Sequence, residues 1–236
     1  MRSVERKNFQ KILFSNTCFN YDNKNQIIKN LNFKILKNDF IVLSGLSGEG
    51  KTTFIDLLSG LLKPTSGKIF IDNNNLNKVR KNWLKSIGYV PQKNYLINDT
   101  IKNNIVMDNH KNYNHKNMIY ALKFSELDKF IKIKKGGINF KIGSDGQNIS
   151  GGENQRIGIA RGLFLRPKIL ICDEITSSLD KHTENKILNS MLKLKGKITI
   201  VFITHRPEIF KSRGIKKFLM KKDAKGNTKI NRVSNV

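Results

Sequence analysis

The glycine-rich segment at residues 45–52, GLSGEGKT, constrains the fold of this chain more than any other feature. It follows the apolar run at residues 40–43 and precedes a helical pattern, which is the strand–loop–helix context of a phosphate-binding P-loop. Glycines let the backbone turn tightly and approach a polyphosphate, whose charge then meets backbone N–H groups and the positive end of the helix. In such a loop Lys51 contacts the β- and γ-phosphates, and the Thr52 hydroxyl can bind Mg²⁺. The segment predicts a nucleotide site, and a turn that merely caps a helix is the weaker alternative.

Length and composition favour one α/β domain, or a core with a subdomain. The chain has 236 residues, and 38% hydrophobic content suffices for a buried core. It has no run of roughly eighteen apolar residues, and its first residues lack an apolar signal-peptide core, so we expect a soluble, uncleaved chain. Cys18 and Cys172 lie in different predicted strands without metal-ligand spacing. That pattern is typical of buried cysteines in a reducing, cytoplasmic compartment.

The basic charge is open to three explanations. The net charge is +26 and the isoelectric point is about 10.1. Lysines are dispersed among many asparagines instead of forming one stripe, which favours a compositional bias on solvated faces. Attraction to an anionic membrane surface is the second explanation, and nucleic-acid binding is the third. No zinc-finger spacing or aromatic-rich RNA-binding motif supports the third, so we do not expect a nucleic-acid partner.

Apolar runs divide the chain into a β/α core and a helical insertion. Strands are predicted at residues 12–14, 33–36, 40–43, 68–71, 87–90, 169–172 and 198–203. A helix is expected from residue 51 to about residue 62, and residues 118–127 have a helical pattern. We therefore expect a single domain over residues 1–236, in which residues 1–92 and 148–236 form the core and residues from about 93 to 147 a helical subdomain.

Two carboxylates, Asp173 and Glu174, end the apolar run at residues 169–172. Open α/β sheets place their ligand crevice at the carboxyl ends of such strands. Asp173 would hold Mg²⁺ directly or through water, and Glu174 would polarise the water that attacks a γ-phosphate. An acidic pair at a strand exit is usually only solvated, so this interpretation depends on the P-loop.

A third constellation lies at residues 149–156, ISGGENQR. Ser150 is the expected N-cap of a helix, and Gly151 and Gly152 leave the N–H groups of its first turn unobstructed. The pattern predicts a second anion-binding helix end, and an ordinary capped helix is the alternative.

Taken together, these segments resemble in order and spacing the ATP-binding-cassette (ABC) ATPases that drive ABC transporters, over nearly the whole chain. The resemblance implies an α/β fold with a P-loop nucleotide hydrolase core and mainly parallel sheet, an N-terminal antiparallel β portion and an inserted α-helical subdomain. It identifies residues 150–153 with the signature motif, Gln92 with the Q-loop, residues 177–180 with the D-loop, His205 with the switch histidine and Tyr21 with the adenine-stacking ring. Alone, Tyr21 is equally typical of a core or turn, and His205 of a structural histidine.

The resemblance implies ATP and Mg²⁺ as ligands. It implies catalysis by Lys51, Gln92, Glu174 and His205 and a metal site at Thr52, Gln92 and Asp173. The implied nucleotide contacts are Tyr21, Gly45, Leu46, Ser47, Gly48, Glu49, Gly50, Lys51, Thr52, Thr53, Gln92, Ser150, Gly151, Gly152, Glu153 and Asp180.

A narrower resemblance, to the cassettes of exporters and lipid-linked oligosaccharide flippases, comes from YVPQ at residues 89–92, NDTIKNNI at 98–105 and ITHR at 203–206. The chain departs from the family pattern at three positions. Glu49 replaces a small residue, Glu153 replaces the commoner glutamine, and Ser144 stands where exporters often have a glutamate that transmits motion to the membrane domain.

The resemblance also implies partners. A second cassette, identical or paralogous, would complete each ATP site head to tail, and a transmembrane domain on the same precursor or a separate chain would hold the pair at the cytoplasmic face of a membrane. The helical insertion after Gln92 would be the docking surface. The alternatives are a soluble cassette ATPase of iron–sulfur assembly or nucleic-acid repair, and a nucleotide-gated subunit without catalysis.

Overall fold

The computed structural model describes residues 9–22, 26–107, 113–177 and 179–233. The strands in these ranges are β1 (Lys11–Asn20), β2 (Gln26–Leu36), β3 (Phe40–Ser44), β4 (Ser66–Ile71), β5 (Asn74–Asn75), β6 (Ile87–Val90), β7 (Ile169–Asp173), β8 (Thr199–Ile203), β9 (Lys216–Lys222) and β10 (Thr228–Arg232). The α-helices are α1 (Lys51–Ser59), α2 (Leu76–Leu84), α3 (Ile101–Val106), α4 (His115–Phe124), α5 (Asp128–Ile133), α6 (Gly151–Phe164) and α7 (Lys181–Leu192).

The strands form two sheets of different type. The antiparallel sheet has the order β2-β1-β4-β5. The second sheet has the order β10-β9-β3-β8-β7-β6, and all its pairs are parallel except β9 with β10. The predicted fold class, α/β with a mainly parallel sheet and an N-terminal antiparallel portion, is confirmed.

The parallel sheet is covered on both faces. Successive side chains of a strand point to opposite faces, so Ile41 and Leu43 pack with α1 and the antiparallel sheet, while Phe40 and Val42 pack on the side of α6 and α7. Every residue of β3 and of β8 is buried. Burial on both faces accounts for the continuous apolar runs that predicted these strands.

Helix ends differ from the predictions at two places. The helix after the P-loop ends at Ser59 because Gly60 is left-handed, with φ 79°, and its N–H donates to the carbonyl of Leu57. The run predicted at 118–127 extends past the end of α4 at Phe124 and stops before α5, and Glu126 between the two helices is left-handed, with φ 57°. A left-handed residue ends the repeat of backbone hydrogen bonds even where the apolar pattern continues.

Residues 93–147 contain α3, α4 and α5. Their buried side chains share one hydrophobic cluster with α6, α7 and a face of the parallel sheet. The division into a core and a helical subdomain therefore stays a prediction, while the packing shows that these helices are continuous with the core.

A close backbone approach between β6 and α6 gives a test of this packing. A Cβ added to Gly88 would lie 2.2 Å from the carbonyl oxygen of Gly162, so the strand or the helix would have to move. We expect Gly88→Ala to lower the free energy of unfolding by about 1–3 kcal/mol, measured by denaturant titration. Gly151→Ala is the control, because a Cβ there would meet nothing within 4 Å. Equal stability of the two variants would contradict the close approach.

Candidate active site

An open cavity of about 320 Å³ lies where the parallel strands β3, β7 and β8 end. It is lined by Tyr21, Ile27, Ser47, Gly48, Gly50, Lys51, Thr52, Thr53, Asp173, Glu174 and His205. The cavity thus brings together the P-loop, both carboxylates, the switch histidine and Tyr21. The predicted site residues in the described part of the chain that are not in its lining are Gly45, Leu46, Glu49, Gln92, residues 150–153 and Asp180.

The P-loop needs its glycines for two reasons. Gly48 and Gly50 have φ of 83° and 93°, in the left-handed region that a residue with a Cβ rarely adopts. A Cβ on Gly45 would lie 2.7 Å from the carbonyl oxygen of Met220 in β9. The loop is therefore shaped by backbone conformation at its centre and by the neighbouring strand at its start.

Positive charge is concentrated where α1 begins. Among the described residues no side chain caps the first turn of α1, and no acidic residue lies in that turn, so its N–H groups are left for another acceptor. The Lys51 ammonium donates to the carbonyls of Gly45 (2.8 Å) and Leu46 (3.0 Å), which holds it against the loop. A helix end without its own acceptor beside a buried cation fits a polyphosphate.

Tyr21 stands at the rim of the same cavity, where 64% of it is exposed. Its hydroxyl lies 3.3 Å from Thr53 Oγ1, and its ring packs edge-on against Phe19 at 4.8 Å between centroids. The ring is thus held at two points while much of its surface faces solvent, which fits stacking on a planar base.

The environment of the Asp173 carboxyl, at the end of β7, disfavours its charged form. Burial raises the pKa of its carboxyl, and repulsion from Glu174 adds to that, whereas a hydrogen bond from Tyr89 and the charge of Lys51 oppose it. The Tyr89 hydroxyl donates to Asp173 Oδ2 at 3.2 Å. Tyr89 belongs to the YVPQ motif, but the sequence does not predict its contact with Asp173, because that contact depends on the pairing of β6 with β7.

Glu174 is fixed in a strained conformation. Its φ is 49°, which is uncommon for a residue other than glycine, and its N–H donates to the carbonyl of Ile203 at 3.0 Å. Gln92 Nε2 donates to one carboxylate oxygen at 3.1 Å, and His205 Nε2 lies 2.7 Å from the other. Groups from the ends of β6 and β8 therefore hold both oxygens of this carboxylate.

Thr52 and Asp173 supply a hydroxyl and a carboxylate to one cavity. Mg²⁺ takes hard oxygen ligands and usually binds proteins through one or two side chains together with substrate phosphates, so this donor set fits it. The amide of Gln92, the third expected ligand, contacts Glu174 instead.

The signature segment forms a capped helix end. Ser150 Oγ accepts from the N–H of Glu153 at 3.3 Å, and the Glu153 carboxylate accepts from the N–H of Ser150 at 2.7 Å. This capping box gives Glu153 a structural role in place of the commoner glutamine. A Cβ added to Gly151 would meet nothing within 4 Å, so the helix end is open.

The D-loop ends in another helix cap. Asp180 Oδ1 accepts from the N–H groups of His182 and Thr183, each at 3.0 Å, and these bonds lower the pKa of the Asp180 carboxyl. The Ser177 hydroxyl donates to the carbonyl of Glu174 at 3.0 Å. Ser178, which belongs to the same predicted loop, lies outside the described residues.

Comparisons with known proteins agree on one family. The family model described as "ABC transporter" matches residues 28–177. A putative export ATP-binding/permease protein of Rickettsia typhi is 40% identical over 199 residues, which cover 83% of this chain and 34% of the relative. The alpha-hemolysin translocation ATP-binding protein HlyB of Escherichia coli O157:H7 is 38% identical over 213 residues, 86% of this chain and 30% of the relative.

A solved structure of a bacterial Atm1-family ABC exporter with ATP bound superimposes with a TM-score of 0.79 and 33% identity. The alignment covers 90% of this chain and 37% of the exporter chain. The present chain thus spans about a third of the length of the relatives it matches. Among its described residues, no helix is both long and apolar enough to cross a membrane.

The environment of Asp173 predicts an unusual effect of its removal. Since burial raises its pKa in the folded chain, the carboxylate costs stability above that pKa, and the cost falls as pH drops through it and is gone below the ordinary pKa of an unfolded aspartate. In magnesium-free buffer, Asp173→Asn should therefore have a higher Tm than the wild type at about pH 7, and this difference should vanish at about pH 4.

Asp180→Asn is the control of opposite sign. The pKa of Asp180 is lowered in the folded chain, so its carboxylate stabilises the fold at neutral pH and that contribution is lost in acid. Thermal unfolding of both variants at both pH values makes the comparison. A lower Tm for Asp173→Asn than for the wild type near neutral pH would contradict the interpretation.

Proposed function

Because the chain belongs to the ABC transporter family, we propose that it is the ATP-hydrolysing nucleotide-binding domain or subunit of a transporter of the exporter or flippase type. The observation that carries this proposal is the 2.7 Å contact between His205 and Glu174 in the cavity that the P-loop also lines. The relatives named above are export and translocation proteins, so an iron–sulfur or nucleic-acid repair role is not favoured.

In this proposal the free N–H groups at the start of α1 and the Lys51 ammonium bind the phosphates of ATP, while Tyr21 stacks on its adenine. The donor set at Thr52 and Asp173 supports Mg²⁺ binding, with Gln92 as a further ligand, and the ion would neutralise phosphate charge. Gln92 would bind Mg²⁺ through its amide oxygen, because its Nε2 donates to the Glu174 carboxylate.

Glu174 is the proposed general base. Its carboxylate would accept a hydrogen bond, and then the proton, from the water that attacks the γ-phosphate. Gln92 donates to one of its oxygens and His205 Nε2 lies 2.7 Å from the other, and each oxygen has a second lone pair that could accept from water. His205 would then contact the γ-phosphate, where charge develops during the reaction.

A second cassette completes the proposed site. The open helix end at Ser150, Gly151 and Gly152 does not line this chain's own cavity, so the N–H groups of Gly151 and Gly152 are available to a nucleotide on a partner. Twofold symmetry would place two ATP molecules between the P-loop of each copy and residues 150–153 of the other. ATP would then favour the closed pair, and hydrolysis would remove those contacts and reopen it.

The proposed membrane coupling requires a transmembrane domain, either fused to this chain or on a separate polypeptide. The relatives include a combined ATP-binding/permease protein, of which this chain matches 34% of the length. The cassettes would then work at the cytoplasmic face of the membrane, as a homodimer or with a paralogue.

The role of Glu174 is tested by Glu174→Gln. The amide keeps the shape of the side chain and an oxygen for His205 but cannot accept a proton, so phosphate release should fall by about 10²-fold or more. ATP binding and ATP-dependent dimerisation should be retained in size-exclusion chromatography with ATP. Lys51→Ala is the matched control, which should lose ATP binding as well. Near-wild-type hydrolysis by Glu174→Gln would refute the proposed base.

The membrane partner is tested separately. The tagged chain should co-purify from detergent-solubilised membranes with a polytopic membrane protein, identified by mass spectrometry. The Lys51→Ala variant should recover the same partner, because docking does not use the P-loop. Recovery of soluble proteins alone would refute the transporter assignment, and it would leave the result for Glu174→Gln unaffected.

A further inference from the structure

The first turn of α7 contacts three parts of the proposed site: the D-loop, the signature helix and the loop that carries His205. Asp180 caps this turn, and Glu184, whose N–H donates to the Asp180 carbonyl at 2.9 Å, is 6% exposed. A Cβ added to Gly152 would lie 3.0 Å from Thr183 Cγ2, so the signature helix packs directly on the same turn.

Arg206 links this junction to the catalytic loops. Its guanidinium forms an ion pair with the carboxylate of Glu184 and donates to the carbonyl of Thr176 at 3.4 Å. Its backbone N–H donates to Thr204 Oγ1 at 3.0 Å. Thr176 lies two residues after Glu174, so one side chain joins α7, the turn that follows the proposed base, and the loop that carries His205.

The contacts of Arg206 determine where His205 stands. Thr204 is 4% exposed and its N–H donates to the carbonyl of Leu43 in β3, while Arg206 is tied to α7. His205 lies between these two anchored residues, and its side chain is half-exposed. The next anchored side chain of this loop is Phe210, which is 2% exposed and packs on Phe40 and Phe202, so Arg206 is the anchor that adjoins His205.

A role in stability alone would not require this geometry. An ion pair between a half-exposed arginine and a buried carboxylate is weak evidence for stability, because solvent screens the attraction and desolvation of the carboxylate offsets it. The planar guanidinium, however, donates both to a carboxylate on α7 and to a carbonyl in the turn after Glu174. A lysine ammonium has the same charge but lacks the rigid, planar arrangement of donors. Two acceptors on separate elements fix an orientation as well as a distance.

We propose that Arg206 is a positioning residue for ATP hydrolysis, which holds His205 and the turn after Glu174 against the first turn of α7. The inference rests on the proposed ATPase function. Arg206 acts through His205 and does not touch the nucleotide. Contact of a second cassette with the signature helix would reach His205 through Gly152, Thr183, Glu184 and Arg206.

The test uses the full 236-residue chain with Arg206→Lys, Arg206→Ala and the control Arg232→Ala, which removes the same charge from an exposed position on the edge strand β10. We expect kcat for ATP hydrolysis to fall by about 10-fold to 100-fold in Arg206→Ala, since displaced groups lose rate. The KM and the ATP dissociation constant should change less than about twofold, because Arg206 makes no phosphate contact. Arg206→Lys should fold with nearly the wild-type Tm and still lose kcat.

A second readout does not depend on hydrolysis. The Cε1–H resonance of His205, assigned with His205→Gln, should move in both Arg206 variants at constant pH and stay in place in Arg232→Ala. A lower Tm in Arg206→Ala with wild-type kcat in Arg206→Lys and an unmoved His205 resonance would reduce the ion pair to a structural role. Absence of hydrolysis in the wild type would refute the proposed function, and the resonance would still decide whether Arg206 positions His205.

Discussion

The contacts of the Glu174 carboxylate depend on the order of the parallel strands. Gln92, Glu174 and His205 follow β6, β7 and β8, which are neighbours in the sheet, and the P-loop follows β3 on the other side of β8. Parallel strands end at one edge, so groups up to 113 residues apart in the chain, Gln92 and His205, meet on one side chain. The strained φ of Glu174 is tolerated because both its oxygens and its N–H are held.

Local pattern predicted the strands that are buried on both faces and parts of β1, β2 and β4, and it missed β5, β9 and β10. The run at residues 169–172 is apolar at every position, and such an uninterrupted run is typical of a parallel strand that is buried on both faces. β9, with the sequence KKFLMKK, and β10, with TKINR, were not predicted, since lysines on the solvated positions hide the pattern. β9 is held by pairing with β3, which is distant in sequence, and β10 is held at the sheet edge by a hairpin with β9.

Motif spacing predicted the residues of the cavity but not the contacts that orient them. The P-loop, Asp173 and His205 could be found because each follows an apolar run in a recognisable order. Tyr89 and Arg206 could not, because their partners Asp173 and Glu184 are reached only through strand pairing and helix packing. Gln92 shows the same limit: its spacing indicates a nucleotide contact, whereas its amide donates to Glu174 in this conformation.

The capping box determines which donors the signature helix can offer to a partner in the proposed dimer. The N–H groups of Ser150 and Glu153 are used inside the box, so those of Gly151 and Gly152 remain, together with the Ser150 hydroxyl hydrogen. The open space at Gly151 permits close approach by an anion, while Gly152 must stay small because Thr183 packs on it. One glycine thus serves the proposed nucleotide and the other serves the contact with α7, so binding at this helix end and the position of His205 are linked through adjacent residues.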